Sequence, residues 1–399
     1  MFLYSENIYT PEGFQKGYLN IEHGKIKGIV QEVDEKEDVV DYTNGIIIPG
    51  FIDMHIHGWA TGSFKFQGDK KALQNMSKGL VKVGVTSYLA STATNAVEKL
   101  KKQASDAREF MEEWIPEKGS QVLGIHLEGP FINKEYKGMQ KEEYCIDPSI
   151  EITESLLESA GEGNVKLMTL APELPNADRV ITYLHEKGIQ VSIGHSAAEF
   201  EDIARVKDLG VGGFTHTFSG MRGFHHRRLG VVGAAMYFED MYAEFSKQTG
   251  MTVKPEAFAI VYRLKGPEKI ILSTDCTGLA QVKEPFYHYI RKCTFSPYGE
   301  DSLKCVYDDG REEIINKYEY DNVKDVELSY LGSIQNVVKN VKASVSDIVK
   351  MTSENPAKYL GVDSYKGSIE AGKDADVIII DDEWNLLDTY VKGVKQDIQ

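Results

Sequence analysis

The chain has 399 residues, 42% of them hydrophobic and 27% charged, with a formal net charge of −16. That length suits one large domain plus a smaller one. The acidic balance argues against nucleic acid as a partner, since phosphate backbones are met by basic surfaces, and no apolar run approaches the ~18 residues of a membrane span.

The N-terminus, Met1 to Asn7, lacks a basic stretch followed by a long apolar one, so it does not read as a secretory signal. The cysteines (Cys145, Cys276, Cys293 and Cys305) are scattered, with no Cys-x-x-Cys. Reduced thiols in the cytoplasm are expected.

The first 45 residues read as short strands and turns, with a hairpin over 18–30. The last stretch reads alike: Gly367 to Asp376, then the apolar strand Val377-Ile-Ile-Ile380, then Tyr390-Val391. Neither end is long enough for its own core. Residues 1–48 and 361–399 are therefore expected to meet in one small β-sandwich.

Between them strands and helices alternate. Candidate strands are 51–56, 85–91, 122–128, 166–171, 189–194, 211–216, 242–246 and 269–274, with helical segments at 70–83, 95–114, 176–187 and 198–208. Eight such units over 49–360 predict an α/β fold, a (β/α)8 TIM barrel. Residues 281–330 read as a long irregular loop with a β-excursion, and 331–342 and 344–360 as helices.

Barrel chemistry gathers at the C-terminal strand ends. The first strand ends in His55 and His57, whose spacing sends both imidazoles to one face. Gly58 follows, letting the chain turn and leaving space beside the pair. The third strand ends in Glu128, the fifth in His195, the sixth in His216 and the eighth in Asp275. Each has a structural alternative: a hydrogen-bonded histidine, a buried ion pair, a helix cap. None of these explains why all fall at strand ends. Together they can hold one or two divalent ions, and the donors suit zinc, iron, manganese or cobalt. A second cluster, His225 to Arg228, offers positive charge for an anion or is a solvated loop.

These residues lie in Pro49-Gly-Phe-Ile-Asp-Met-His-Ile-His-Gly58, His126-Leu-Glu-Gly-Pro-Phe-Ile-Asn133, Leu170-Ala-Pro-Glu173, Gly194-His-Ser196, Thr215-His216, Gly230-Val-Val-Gly-Ala-Ala235 and Lys366-Gly-Ser-Ile-Glu-Ala-Gly-Lys-Asp-Ala-Asp376. The chain resembles the amidohydrolase superfamily, and within it the N-acetylglucosamine-6-phosphate deacetylases, over nearly its whole length. The resemblance implies that Glu128, His195 and His216 hold one metal and that His55 and His57 serve a second. It implies that Asp275 is the general base and acid, also at the metal. Lys166 begins the fourth strand rather than ending it, so Glu128 is the expected bridge instead of a carbamylated lysine. Gln140 and His226-Arg227 match positions near the sugar and its phosphate, the arginine often reaching across a homodimer interface.

Departures cluster around substrate. Ser219-Gly220 stands for the usual Asn-Ala. The stretch Thr249-Gly-Met-Thr252 stands for Asp-Gly-x-His, so Thr252 replaces a histidine and a donor is expected to be missing there or supplied by His225 or His226. The function implied is metal-dependent hydrolysis of the N-acetyl group of a phosphorylated amino sugar. Hydrolysis of another N-acyl sugar phosphate or a small cyclic amide, and a non-catalytic binding protein on the same barrel, stay open at this point.

Overall fold

The computed structural model of the protein describes residues 1–246, 252–288 and 291–399. At its centre are eight strands: Phe51–Ile56, Val85–Thr92, Gln121–Glu128, Val165–Leu170, Gln190–Ile193, Val211–Phe214, Tyr242–Ser246 and Ile270–Ser273. They pair in chain order and in parallel, each with its sequence neighbour. The last meets the first where the Asp275 N–H donates to His55 O at 2.8 Å and Thr274 N–H to Asp53 Oδ1 at 3.2 Å, which nearly closes a barrel. Strands covered on both faces carry apolar runs rather than alternation, as in Ile270–Ser273, where every residue is buried.

Helices follow the strands and cover them. Ala177–Glu186 shows why: Ala177, Val180, Ile181 and Leu184 recur at helical spacing and are its buried residues. Starts are capped, as where the Asp69 side chain accepts from Ala72 N–H and Ser149 from Ile152 N–H. The reading of 344–360 as one helix needs correction. Val345–Val349 and Asn355–Tyr359 are α-helical, with a π segment over Lys350–Glu354 between them. Pro356 has no N–H to give Thr352 O, and its ring crowds that carbonyl, so a wider turn replaces the α-helical one.

The two termini build one eight-stranded sheet. Phe2–Thr10, Gly13–Glu22 and Lys25–Val30 lie on one side and Val377–Ile380 and Leu386–Val391 on the other, joined through Ile46–Pro49. The sheet wraps around Leu3, Ile8, Leu19, Ile26, Ile47, Ile379 and Tyr390, giving the expected sandwich. Ile47 and Ile379 face that core, whereas Ile48, Ile378 and Ile380 pack into the barrel's. One apolar run thus serves two cores. Lys366, fully buried, bridges Asp374 (2.9 Å) and Asp376, and the Asp376 carbonyl accepts from Gly50 N–H at 2.9 Å, tying sheet to barrel.

The segment after the eighth strand is more ordered than expected. Phe286–His288, Cys293–Tyr298, Ser302–Tyr307 and Glu312–Asn316 form a four-stranded antiparallel sheet over the barrel mouth. Among the described residues no helix is long and apolar enough to cross a membrane.

Candidate metal centre and active-site pocket

The fifth, sixth and eighth strands end two residues before His195, His216 and Asp275. All three residues lie in left-handed backbone, with φ of 49°, 36° and 48°. Such conformations cost non-glycine residues about 1–3 kcal/mol each and cluster at functional sites. Here they turn three polar side chains into one pocket at the barrel mouth.

The donors converge. His55 Nε2 lies 3.2 Å from His57 Nε2, and His195 Nε2 lies 3.1 Å from His216 Nε2. Glu128 sits between the pairs: Oε1 is 3.5 Å from His55, 3.1 Å from His195 and 3.2 Å from His216, and Oε2 is 3.3 Å from His57. Asp275 Oδ1 stands 3.4 Å from His57 Nε2 and 3.7 Å from His55 Nε2.

Three of the imidazoles have their other nitrogen engaged. His55 Nδ1 meets Glu244 Oε1 at 2.8 Å, His57 Nδ1 meets Ser91 O at 3.1 Å, and His195 Nδ1 meets Tyr136 O at 2.8 Å. Each acceptor fixes the proton on Nδ1 and presents the Nε2 lone pair inward. Lone pairs facing each other at such distances call for a cation. Four ligands at ~2.05 Å in a tetrahedron stand about 3.3 Å apart, the separation seen here. The donors form two three-residue groups, His55–His57–Glu128 and Glu128–His195–His216. The expected ligand set is therefore brought together, with Glu128 common to both groups.

The electrostatics agree. Burial opposes charge on His55, yet Glu244, Asp275 and Glu128 raise it well above the usual imidazole range. Burial likewise opposes charge on Asp275, but the His55 and His57 imidazoles hold its carboxyl far below the carboxylate range. Positive charge belongs in this site, carried by protons when no metal is bound. Asp53 is different. Burial pushes it up to about 7 despite hydrogen bonds from Thr274 and the His55 N–H.

The pocket is lined by His57, Glu128, His195, His216 and Asp275, and by the predicted Gln140, Ser219, Gly220 and Thr252. Gln140 donates to Glu128 Oε2 and accepts from Thr94 N–H at 3.1 Å. Gly220 packs on His195: a Cβ there would come within 2.9 Å of Nδ1. The Thr252 hydroxyl donates to Ser246 O at 2.6 Å. Thr249 to Met251, part of the same reading, lie outside the described residues. His226 and Arg227 are exposed and do not line their own pocket. Gly58 needs a corrected reason. A Cβ there would come within 2.6 Å of Thr277 O, so it allows two backbones to meet rather than leaving open space.

Several residues were missed. Glu244, on the seventh strand, is fully buried and supports His55; a charge inside an apolar strand was the available signal. Glu327 holds the loop after Asp275, accepting from Thr277 N–H (2.9 Å), Gly278 N–H (2.7 Å) and Leu279 N–H (2.9 Å). Lys65 and His288 also line the pocket, and neither stands in a motif.

A parallel barrel with this donor set at its C-terminal rim defines a metal-dependent hydrolase. The amidohydrolase family model matches residues 46–398. The N-acetylglucosamine-6-phosphate deacetylase of Bacillus subtilis (strain 168) is 30% identical, over 96% of this chain and 93% of that one. The crystal structure of N-acetylglucosamine-6-phosphate deacetylase from Pasteurella multocida superposes with a TM-score of 0.82 at 28% identity, covering 98% of this chain and 99% of that one. An N-acetylgalactosamine-6-phosphate deacetylase from Escherichia coli O157:H7 is 26% identical over 87% of each. The chain belongs to the amidohydrolase family and, within it, to the N-acetylglucosamine-6-phosphate deacetylases.

Proposed function

We propose that the protein hydrolyses the N-acetyl group of N-acetylglucosamine 6-phosphate, releasing acetate and glucosamine 6-phosphate. The observation that carries this is Asp275, whose Oδ1 stands 3.4 Å from His57 Nε2 beside two donor groups that share Glu128, in an open pocket. The relatives' activity supplies the substrate class.

The donors suit zinc, iron, manganese or cobalt, and we take two ions per chain as full occupancy because the groups share one carboxylate. Bound there, the cations supply Lewis-acid polarisation and stabilise the charge that develops on the amide oxygen. The chain's residues do the rest. Asp275, ionised, takes a proton from the attacking water as oxygen bonds to the acetyl carbon. The C–N bond then breaks, and Asp275 returns that proton to the leaving nitrogen. Gln140 braces Glu128, and the acceptors on His55, His57 and His195 hold the ligand rings still. Asp275 also lies at the centre itself, as its contacts with His55 and His57 indicate.

Arg227 is exposed on a loop away from its own pocket. We propose that the protein works as a homodimer in which His226 and Arg227 meet the phosphate in the partner's pocket. The test is acetate release by metal-loaded protein from N-acetylglucosamine 6-phosphate, its 4-epimer and the unphosphorylated sugar. Turnover of the first, lost on omitting phosphate, is the expected result. No acetate from any of them refutes the proposal.

A further inference from the structure

Glu173 ends the motif Leu170-Ala-Pro-Glu173, three residues past the fourth barrel strand, and does not line the pocket. Its carboxylate is a junction between the loops that build that pocket. Oε1 accepts the Asn133 side-chain N–H at 2.9 Å and the Ala197 backbone N–H at 2.6 Å, and Oε2 accepts the Ser196 hydroxyl at 2.7 Å. Hydrogen bonds to a carboxylate are charge-assisted and stronger than neutral ones. Three of them on one side chain fix the loop after the third strand against the loop after the fifth.

The residues so fixed surround His195. Ser196 and Ala197 follow it in the chain, and the Asn133 backbone N–H donates to His195 O at 2.9 Å. Asn133 Oδ1 also accepts the Glu135 N–H at 2.9 Å, which starts the turn Lys134–Tyr136. Tyr136 O in that turn takes the His195 Nδ1 proton at 2.8 Å. Glu173 is therefore tied to the backbone after His195, to the residue on its carbonyl and, through the turn, to the acceptor of its ring. Left-handed backbone at a non-glycine residue persists only where its surroundings hold it, and His195 has a φ of 49°. The ties run further. Ser196 N–H donates to Gly220 O and Arg222 N–H to Ser196 O, both at 3.0 Å, and Arg222 Nε donates to Ala197 O at 2.6 Å. The loop after His216, which brings Ser219 and Gly220 into the pocket, thus hangs on the same two residues.

We infer that Glu173 is a positioning residue that acts through His195, holding its backbone and its ring acceptor so that Nε2 meets the Glu128–His195–His216 group. The inference rests on the metal centre of the proposed function and is independent of which sugar is the substrate. It makes Glu173 the counterpart of Glu244. One carboxylate steadies a ligand of each donor group, Glu244 at the ring of His55 and Glu173 at the loops around His195.

Titration of metal-free full-length protein with zinc against a competing chelator tests this without using turnover. Glu173→Met keeps the length of the side chain and removes the acceptors. It should weaken zinc binding at Glu128–His195–His216 about tenfold or more, the lower end of the range for a ligating histidine that loses its support, and change binding at His55–His57–Glu128 far less. Glu173→Gln keeps Oε1 for Asn133 and Ala197, and its amide N–H can donate to Ser196 Oγ, so it should recover most of the loss. In a His195→Ala background Glu173→Met should add almost nothing. Ser196→Ala removes one of the three bonds and should weaken the same group by a smaller factor, which keeps the test decisive if Glu173→Met does not fold. Unchanged zinc binding in Glu173→Met and Ser196→Ala overturns the inference. So does equal weakening at both donor groups, or a loss as large without His195 as with it, since a side chain that merely fastens the loops would act in that way. If wild-type protein takes up no zinc, it is the metal reading that has failed.

Discussion

Glu244 lies outside the pocket lining and bears on the candidate metal centre only through His55. Its Oε1 stands 2.8 Å from His55 Nδ1 and 2.7 Å from Ser273 Oγ, and the side chain is fully buried. Glutamine is isosteric and keeps an acceptor for both contacts, so Glu244→Gln removes charge more than geometry. A hydrogen bond to a charged group contributes about 1.5–3 kcal/mol against about 0.5–1.5 for a neutral one. The difference, about 1–2 kcal/mol, corresponds to roughly 5- to 30-fold weaker metal binding. That range overlaps the 10- to 100-fold typical when a ligating histidine loses its supporting partner. The weakening should fall on the His55–His57–Glu128 group and spare Glu128–His195–His216, to whose histidines Glu244 makes no hydrogen bond. Glu244 Oε2 has no hydrogen-bond partner, so the new amide N–H is unsatisfied there and lowers Tm as well. Titration of metal-free protein with zinc against a competing chelator resolves the two steps. In a His55→Ala background the Glu244→Gln change should add almost nothing to the loss of metal affinity. Equal weakening with and without His55 refutes the idea that Glu244 acts through that imidazole.

Three other predictions follow from the same geometry. Asp275→Asn should keep the fold and the Glu128–His195–His216 metal while kcat falls about 10²-fold or more, the scale for a lost general acid–base group; near-normal acetate release means another group moves the proton. Metal uptake near pH 7 should release protons. Burial opposes charge on His55 and His216, but the surrounding carboxylates raise both above the ordinary imidazole value. Their protonated forms are thus favoured in metal-free protein, and metal affinity rises with pH until those protons are gone. Calorimetric enthalpies independent of the buffer's ionisation enthalpy refute this. Finally, Arg227→Ala and Asp275→Asn subunits, each weak alone, should regain activity when mixed, because the hybrid dimer holds one intact pocket. No gain on mixing places Arg227 outside the shared site.

The barrel and its candidate ligands were legible because burial writes a strong pattern. Strands such as Ile270–Ser273, buried at every position, leave an apolar run, and a histidine or carboxylate at the end of such a run stands out. Glu128, His195, His216 and Asp275 were found in this way. The final bend was not legible, since left-handed backbone at His195, His216 and Asp275 leaves no mark in composition. Residues acting through others were hidden for a different reason. Glu327 binds three consecutive N–H groups some fifty positions earlier in the chain, and no local period reports such a contact. Glu244 did carry a signal, a lone charge inside the seventh strand, but beside ligands at strand ends it had no evident partner until His55 was placed against it. His288 lay in a segment whose strands are short and interrupted by turns, so alternation there never ran long enough to read. The order of legibility follows the range of the forces. Burial repeats along the chain and can be read there, hydrogen bonding across the fold leaves no repeat, and Glu244 and Glu327 are joined to this site by the second kind.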